Sequence, residues 1–314
     1  MMTASMMTNR KATAFAPGSI GNVGPGFDVL GLAVDGIGDR VTVELTEGPS
    51  RVDSVTGRDA ELVPLQAERN CAAIAANAYL RRYELSAIVS IEKGLALAGG
   101  MGGSAASSVA GAYAAALAAG HSFTTVEILA AALEGESAVA GRHLDNIAPS
   151  VVGGLALSRS VDPIDVIPIP VAAAWWIALV TPRVRIQTRD ARALLPMESD
   201  RAEWIQQMAN TTALAHAFST GDGELLRRAL DDRYAEPRRA VLIPRFYDVQ
   251  RAALHAGAFG SSISGSGPTL FAIAPDEQTA RACAEAMRAA FGEVESSAHV
   301  GAIDKKGARR SDER

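Results

Sequence analysis

Aromatic side chains are scarce, at 5% of 314 residues, so alanine, valine, leucine and isoleucine must fill the core. Cysteine is nearly absent. The two present, Cys71 and Cys283, lie far apart, which excludes a disulfide framework. Both stand in alanine-rich surroundings that suit a small buried thiol in a reducing compartment. No excess of positive charge exists: 30 Lys and Arg face 35 Asp and Glu, for a net charge of −5, so no nucleic-acid surface is suggested. Outside residues 94–120 no stretch of about 18 uncharged apolar residues occurs, and that segment is broken by glycine and serine, so no membrane span is expected. Arg10 and Lys11 are not followed by an apolar run, which argues against a secretory signal and for a cytoplasmic protein.

Against these absences stand 29 glycines and a hydrophobic fraction of 48%, the composition of a folded chain with a sizeable core. The length suits two domains. Strands are expected at 11–16 and 40–46, the second from the alternation of Val41, Val43 and Leu45 with Thr42, Glu44 and Thr46. A helix follows at 68–83, a strand at 86–97, and an alanine-rich helix ending before Gly120. Thr124 or Thr125 caps a further helix to about Gly141, and 150–158 is expected as a strand. Pro163, Pro168 and Pro170 mark a boundary, dividing residues 1–165 from 166–303. The second part holds a buried strand at 175–180, helices at 200–220, 223–232 and 245–256, a strand at 269–274 and a last helix at 276–291. Residues 304–314 are mostly charged and are expected to be a disordered tail.

Residues 98–108, Ala-Gly-Gly-Met-Gly-Gly-Ser-Ala-Ala-Ser-Ser, sit between a strand and a helix. Glycines let backbone N–H groups approach a ligand, and the helix start adds free donors and partial positive charge. Together these make an anion site suited to phosphate, with Ser104, Ser107 and Ser108 as extra hydroxyls for phosphate oxygens or magnesium. The pattern G-x-x-x-x-G-K-[ST] is absent, because no lysine lies in the segment. A tight turn that binds nothing is the competing explanation. Two further glycine loops weigh against it, at residues 17–28 and at 264–268.

The three loops together resemble the motifs of the GHMP kinase family. The central loop is similar to that family's P-x-x-x-G-L-G-S-S-A-A, and Asn22-Val-Gly-Pro-Gly-Phe-Asp28 looks like the first motif of its homoserine kinase branch. His143-Leu-Asp-Asn-Ile-Ala-Pro149, Thr188-Arg-Asp-Ala-Arg192 and Glu236-Pro-Arg-Arg239 extend the likeness. The resemblance implies a two-domain α/β (α+β) GHMP kinase fold, with a ribosomal protein S5 domain 2-like N-terminal domain and a ferredoxin-like C-terminal domain around one active site. It implies ATP, Mg2+, L-homoserine as the phosphoryl acceptor, a place in threonine biosynthesis and a homodimer. Carried over by position, Asn70 lies near the adenine, and Gly99, Gly100, Met101, Gly102, Gly103, Ser104, Ala105, Ala106 and Ser107 wrap the phosphates. Ser104 and Glu136 hold the metal and, with Asn146, are the catalytic set, Glu134 being the alternative to Glu136. Asn22, Asp28, His143, Asn146, Thr188, Arg192, Arg239 and Gly265 line the amino-acid pocket. Gly103 departs from the family, standing where a serine is usual.

Homoserine carries an ammonium, a carboxylate and a primary hydroxyl. Asp28 suits the ammonium, Arg192 and Arg239 suit the carboxylate through paired N–H donors, and Asn22 or Asn146 suits the hydroxyl end. No general base is evident; Asp145 either orients His143 or a backbone group. Other small alcohols, shikimate or a mevalonate derivative, and a non-catalytic ligand sensor on the same fold are the alternatives.

Overall fold

A computed structural model describes residues 10–311. Residues 1–9, part of the segment judged to lack a secretory signal, and the last three of the expected tail lie outside the described residues.

The first sheet has seven strands: β1 (Lys11–Gly21), β2 (Leu30–Thr46), β3 (Arg51–Gly57), β4 (Ser86–Lys93), β5 (Leu155–Val161), β6 (Ile164–Ile169) and β11 (Arg309–Arg310). Their order is β11-β1-β2-β4-β3, with β5 pairing β2 and β6 pairing β5. β2 is long because its two halves serve different neighbours, residues 40–46 pairing β4 and 30–32 pairing β5. Its alternation holds: Val41, Val43 and Leu45 are buried while Thr42, Glu44 and Thr46 are half-exposed.

Helices α1 (Cys71–Leu80), α2 (Gly103–Ala119), α3 (Thr125–Ser137) and α4 (Ile147–Val152) follow the first sheet's strands, and α2 lies on β1 and β2. α2 is almost wholly alanine, glycine and serine, so its neighbours approach very closely. A Cβ on Gly111 would stand 2.4 Å from the Ala72 carbonyl oxygen of α1, which no larger residue could tolerate. Gly120, with φ of 72°, ends α2 with its N–H on the Ala116 carbonyl. Thr124 and Glu127 form a reciprocal cap at the start of α3.

The second sheet has four strands, β7 (Trp176–Pro182), β8 (Gly260–Ile263), β9 (Leu270–Ala274) and β10 (Ser296–Ala302), in the antiparallel order β10-β7-β9-β8. With it go α5 (Thr188–Ala193), α6 (Arg201–Thr220), α7 (Gly223–Ala229), α8 (Glu236–Arg239), α9 (Phe246–His255) and α10 (Glu277–Ala290). α9 and α10 pack on each other, and α10 lies on the sheet. Among the described residues no helix is long and apolar enough to cross a membrane.

Three expectations are corrected. Residues 150–158 are not one strand: α4 runs to Val152, and β5 starts at Leu155 after Gly153 and Gly154. Pro149 is compatible with the helix because it stands in the first turn, where its missing N–H is not used. The proline-punctuated stretch is no linker. It forms the β5–β6 hairpin, where Pro168 is accepted because β6 is an edge strand, and the chain changes sheets between Ile169 and Trp176.

The expected disordered tail is ordered through Ser311. β11 pairs β1, placing Arg310 opposite Ala14 and Arg309 opposite Phe15. Composition misled because the charges have fixed partners. Buried Asp304 accepts from the N–H groups of Lys306 and Gly307 and from Arg309 Nη1 at 2.9 Å.

Candidate active site

The three glycine loops meet in one cleft of about 570 Å³ between the two sheets. The first loop turns through three successive left-handed residues, Asn22, Val23 and Gly24, at φ of 68°, 48° and 68°. A buried β-branched residue at φ 48° is strained, and strain of this kind persists only where surrounding contacts over-determine it. Those contacts are present. Asn22 Nδ2 donates to the Gly265 carbonyl at 2.8 Å, Asn22 Oδ1 accepts from Asp28 N at 2.9 Å, and Gly265 N donates to Gly21 O at 3.1 Å. Asn22 lines the cleft and at the same time joins the first and third loops. The third loop also holds the second, through Ser264 Oγ on the Gly100 carbonyl at 2.6 Å.

At the phosphate end, α2 begins at Gly103 without a side-chain cap. Its first hydrogen bond runs from Ala106 N to Gly102 O, which leaves the N–H groups before it free for an anion. Gly102 is fixed as glycine: its φ is 64°, and a Cβ there would stand 2.3 Å from Ser19 Oγ. Gly99, Gly100, Gly102, Gly103 and Ser104 line the cleft. Met101, Ala105, Ala106 and Ser107 are buried beneath it and do not. Asn70 is likewise turned away. It caps α1, accepting from Ala72 N and Ala73 N at 3.1 and 3.2 Å, and its amide donates to Pro64 O at 2.8 Å. Asn70 does not line the cleft; Leu97, Ala98, Val139 and Ala140 form an apolar part of its wall.

The loop has a lysine after all, arriving from the end of β4. Lys93 Nζ pairs with Asp39, two wholly buried charges, and also donates to Gly103 O at 3.0 Å and Ser107 Oγ at 2.9 Å. Asp39 in turn accepts from Gly94 N, Leu95 N and Ser107 Oγ. Every charged atom of this pair has a partner, the condition under which buried ions are tolerated. Neither residue was recognisable from spacing, since they stand 54 positions apart.

Glu136, at the end of α3, lines the cleft beside Ser104. Burial pushes its carboxyl up to about 7, opposed by the neighbouring Ser104 hydroxyl. Its Oε2 is buried with no partner among the described residues. An orphaned carboxylate oxygen next to a hydroxyl at a phosphate-binding helix start suits a hard divalent cation, which takes one or two protein oxygens and completes its shell with phosphate and water. Glu134 points elsewhere, in an exposed pair with Arg81 at 2.7 Å.

At the other end of the cleft, Arg192 holds Asp28 through both Nη atoms, at 2.9 and 2.8 Å. The hydrogen bonds that Arg192 donates to Asp28 raise its pKa further. His143 Nδ1 stands 3.7 Å from Asp28, and burial lowers its pKa. Arg239 is 2% exposed, donates to Gly265 O at 3.0 Å and stacks, like Arg192, on the ring of Phe27 with 5.3 Å to its centroid. Burial and the nearby Arg192 lower its pKa. Thr188 Oγ1 lies 3.3 Å from Ser266 Oγ at the cleft wall. Asn146 accepts from Ser19 Oγ at 3.0 Å and leans on Asp145 at 3.3 Å.

Asp145 is the residue that sequence reasoning undervalued. It lines the cleft, is 5% exposed, and burial together with the charge of Asp28 pushes its carboxyl up to about 7. With Asp28 engaged by Arg192, Asp145 is the carboxylate here without a cationic side-chain partner. The signal was present in the segment 143–149, but the direction of the side chain was not.

The family model for the GHMP kinases N terminal domain matches residues 70–154, and that for GHMP kinases C terminal matches residues 214–293. A homoserine kinase of Chloroherpeton thalassium is 39% identical, spanning 96% of this chain and 99% of its own. One from Xanthomonas campestris pv. campestris is 40% identical, spanning 96% and 94%. Among solved structures, that of homoserine kinase from Cytophaga hutchinsonii superposes with a TM-score of 0.91 at 37% identity, covering 98% of this chain and 99% of that one.

Proposed function

Because the chain belongs to the GHMP kinase family, within its homoserine kinases, we propose that this cleft transfers the γ-phosphoryl group of ATP to the hydroxyl of L-homoserine. The products are O-phospho-L-homoserine and ADP. The observation that carries the assignment is the pairing, in one cleft, of the uncapped start of α2 beside Ser104 and Glu136 with Arg239 and Asp145 opposite.

The free N–H groups at the start of α2 receive phosphate oxygens, and the Lys93–Asp39 pair beneath keeps Gly103 in place for them. Ser104 and Glu136 would hold Mg2+, which when bound draws charge from the phosphate oxygens. Arg239 receives the substrate carboxylate. Asp145 receives the ammonium, with Asp28 acting through its grip on Arg192. That division puts the primary hydroxyl between the amino-acid end and the phosphates. The hydroxyl oxygen forms the new bond to γ-phosphorus as the bond to the bridging oxygen of ADP breaks, and the hydroxyl proton passes late to an oxygen of the transferred phosphoryl group. Phosphoryl transfer of this kind depends on position and on stabilising equatorial charge more than on a strong base. His143, its pKa lowered and its nearest ionic neighbour Asp28, orients that carboxylate in this scheme.

We further assign the protein to the cytoplasm, to threonine formation and to a homodimer, following the same resemblance. Shikimate has no ammonium for Asp145 and mevalonate has none either, which favours the amino acid over both. A panel of small alcohols assayed for ADP release with Mg2+ and ATP tests the reading. L-Homoserine is expected to give the largest kcat/KM. A larger value for shikimate or mevalonate overturns the substrate, and binding of ATP without turnover of any alcohol overturns the enzyme in favour of a sensor.

A further inference from the structure

A second cleft of about 570 Å³ lies on the other face of the first sheet, where that sheet meets β10 of the second. Its floor is one row of three adjacent strands. Phe15 of β1 has Arg40 of β2 directly opposite on one side and Arg309 of β11 directly opposite on the other. Both guanidinium groups lie against the same ring, Arg40 with 5.4 Å and Arg309 with 4.6 Å to its centroid. Arg58 and His299 complete the rim.

Asp35 also lines the cleft, and the three guanidinium groups are unevenly paired. Arg309 is answered by Asp304 at 2.9 Å and more loosely by Asp35 at 4.0 Å. Arg40 pairs with exposed Glu92, directly opposite on β4, at 3.5 Å. Arg58 makes no ion pair among the described residues. His299 Nε2 lies 2.8 Å from the carbonyl oxygen of Asp35, so that nitrogen donates and the ring is held in place. The wall is a bulge: Pro17 pairs Gly38 while Gly18 pairs Val34, which pushes residues 35–37 out of the ladder and opens the cavity. Asp304, Asp35 and Glu92 offset Arg309 and Arg40, which leaves Arg58 as the guanidinium at the rim without a carboxylate among the described residues. Guanidinium groups of this arrangement match the planar, paired oxygens of phosphate and carboxylate.

Between the second cleft and the phosphate loop lie β2 and the buried Lys93–Asp39 pair. Gly38 and Gly94 line that cleft, and Asp39, next to Gly38, accepts from Gly94 N at 2.9 Å. Asp39 pairs with Lys93, and Lys93 donates to Gly103 O of the phosphate loop. Arg58 is tied to the same residue, its N–H on the Lys93 carbonyl at 2.9 Å. Arg40 and Asp39 are successive residues of β2 that face opposite sides, Arg40 into the second cleft and Asp39 onto Lys93 beneath the phosphate loop.

We infer that the row of Arg309, Phe15 and Arg40, with Arg58 and His299, is a second binding site for a small dianion bearing phosphate or carboxylate groups, and that its occupancy is transmitted to the phosphate loop through Asp39 and Lys93. The binding part stands apart from the assigned reaction; the transmission part rests on the kinase reading.

The test uses the full chain with its catalytic cleft filled by Mg2+, homoserine and the β,γ-imido analogue of ATP, so that added anion cannot enter there. Calorimetric titration with inorganic phosphate, and separately with succinate, is expected to show one equivalent bound in at least one arm. The arm that binds identifies the headgroup chemistry. In an Arg40→Gln/Arg58→Ala double variant, binding is expected to weaken at least 10-fold, while kcat without added anion stays that of the parent. The KM for ATP is expected to change at least 2-fold on saturating the site in the parent and not in the variant. No heat in either arm, or equal binding by the variant, overturns the site. Binding with an unmoved KM for ATP overturns the transmission. Loss of ADP release from the parent itself would instead strike the assigned reaction and leave the binding result standing.

Discussion

Arg192 and Asp28, 164 residues apart, clasp each other through two parallel hydrogen bonds of 2.9 and 2.8 Å at the amino-acid end of the cleft. The pair joins two of the residues expected at the substrate into one unit, and in the proposed reading Arg239 and Asp145 meet the zwitterion.

Coupling between the two is therefore expected. Asp28→Asn and Arg192→Ala should each raise the KM for homoserine roughly 10-fold or more, the scale of one lost charge-assisted contact. The double variant should be little worse than either single one, because the interaction they share is already gone. Steady-state kinetics at saturating ATP reads this. Fully multiplicative effects would show that the two side chains bind substrate independently.

Arg239 and its neighbour make an internal control. Arg239 faces the cleft, whereas Arg238 turns to Glu203 at 3.0 Å and to the Tyr234 carbonyl. A clamp on the carboxylate acts equally in ground and transition states, so its loss raises KM and spares kcat. Arg239→Leu should raise the KM for homoserine about 10- to 150-fold, since such a contact contributes roughly 1.5–3 kcal/mol. Arg239→Lys should recover only part, and Arg238→Leu should leave this KM unchanged. The reverse pattern would move the clamp by one residue.

Glu136 should trade activity against stability. Its buried carboxyl is pushed up to about 7, so its charged form is poorly accommodated in the unliganded protein. Glu136→Gln removes that charge and should raise Tm at pH 8, while kcat falls by roughly 10²-fold or more, the scale of one lost preorganised stabiliser. Ser104→Ala should lower kcat similarly with Tm nearly unchanged. Thermal unfolding alongside ADP release checks both, and a near-normal kcat in either variant would reduce this corner to a structural turn.

The fourth expectation concerns pH. Glu236 accepts from Ser262 and, at 3.0 Å, from Gln250, yet burial pushes its carboxyl from 4.5 up to about 7. A raised carboxyl binds its proton more tightly folded than unfolded. Stability should thus decline as pH rises from about 4.5 to about 7, by at most about 1.4 kcal/mol per pH unit for this one group. Glu136 and Asp145 contribute in the same direction. Glu236→Gln should flatten the decline by one proton's share without touching the catalytic groups. Urea unfolding at several pH values measures it, and an unchanged slope would mean that the carboxyl titrates normally.

What was legible beforehand was local. The three glycine loops, the stop at Gly120 and the cap at Thr124 depend on residues a few positions apart, and sequence carries that information directly. The cleft's polar residues could be named, but not aimed. Ser107 belongs to the right motif and faces the Lys93–Asp39 pair instead of the cleft. Asn70 spends its side chain on capping α1, and Asn22 spends its own on joining two loops. Side-chain direction depends on partners brought from elsewhere: Asp39 and Lys93 meet across two strands, and the charged stretch after residue 303 is ordered by Asp304, Arg309 and the open edge of β1. Composition registers such charges without registering what answers them.

The return of β11 to β1 bears on the order in which the molecule can be assembled. Ser311 N donates to the Thr13 carbonyl at 3.0 Å, so the outer edge of β1 stays unpaired until residues that follow the whole second sheet have been made. The bond closes the described chain into a near-ring. A first-sheet segment made without residues 309–311 would carry an unpaired edge on β1.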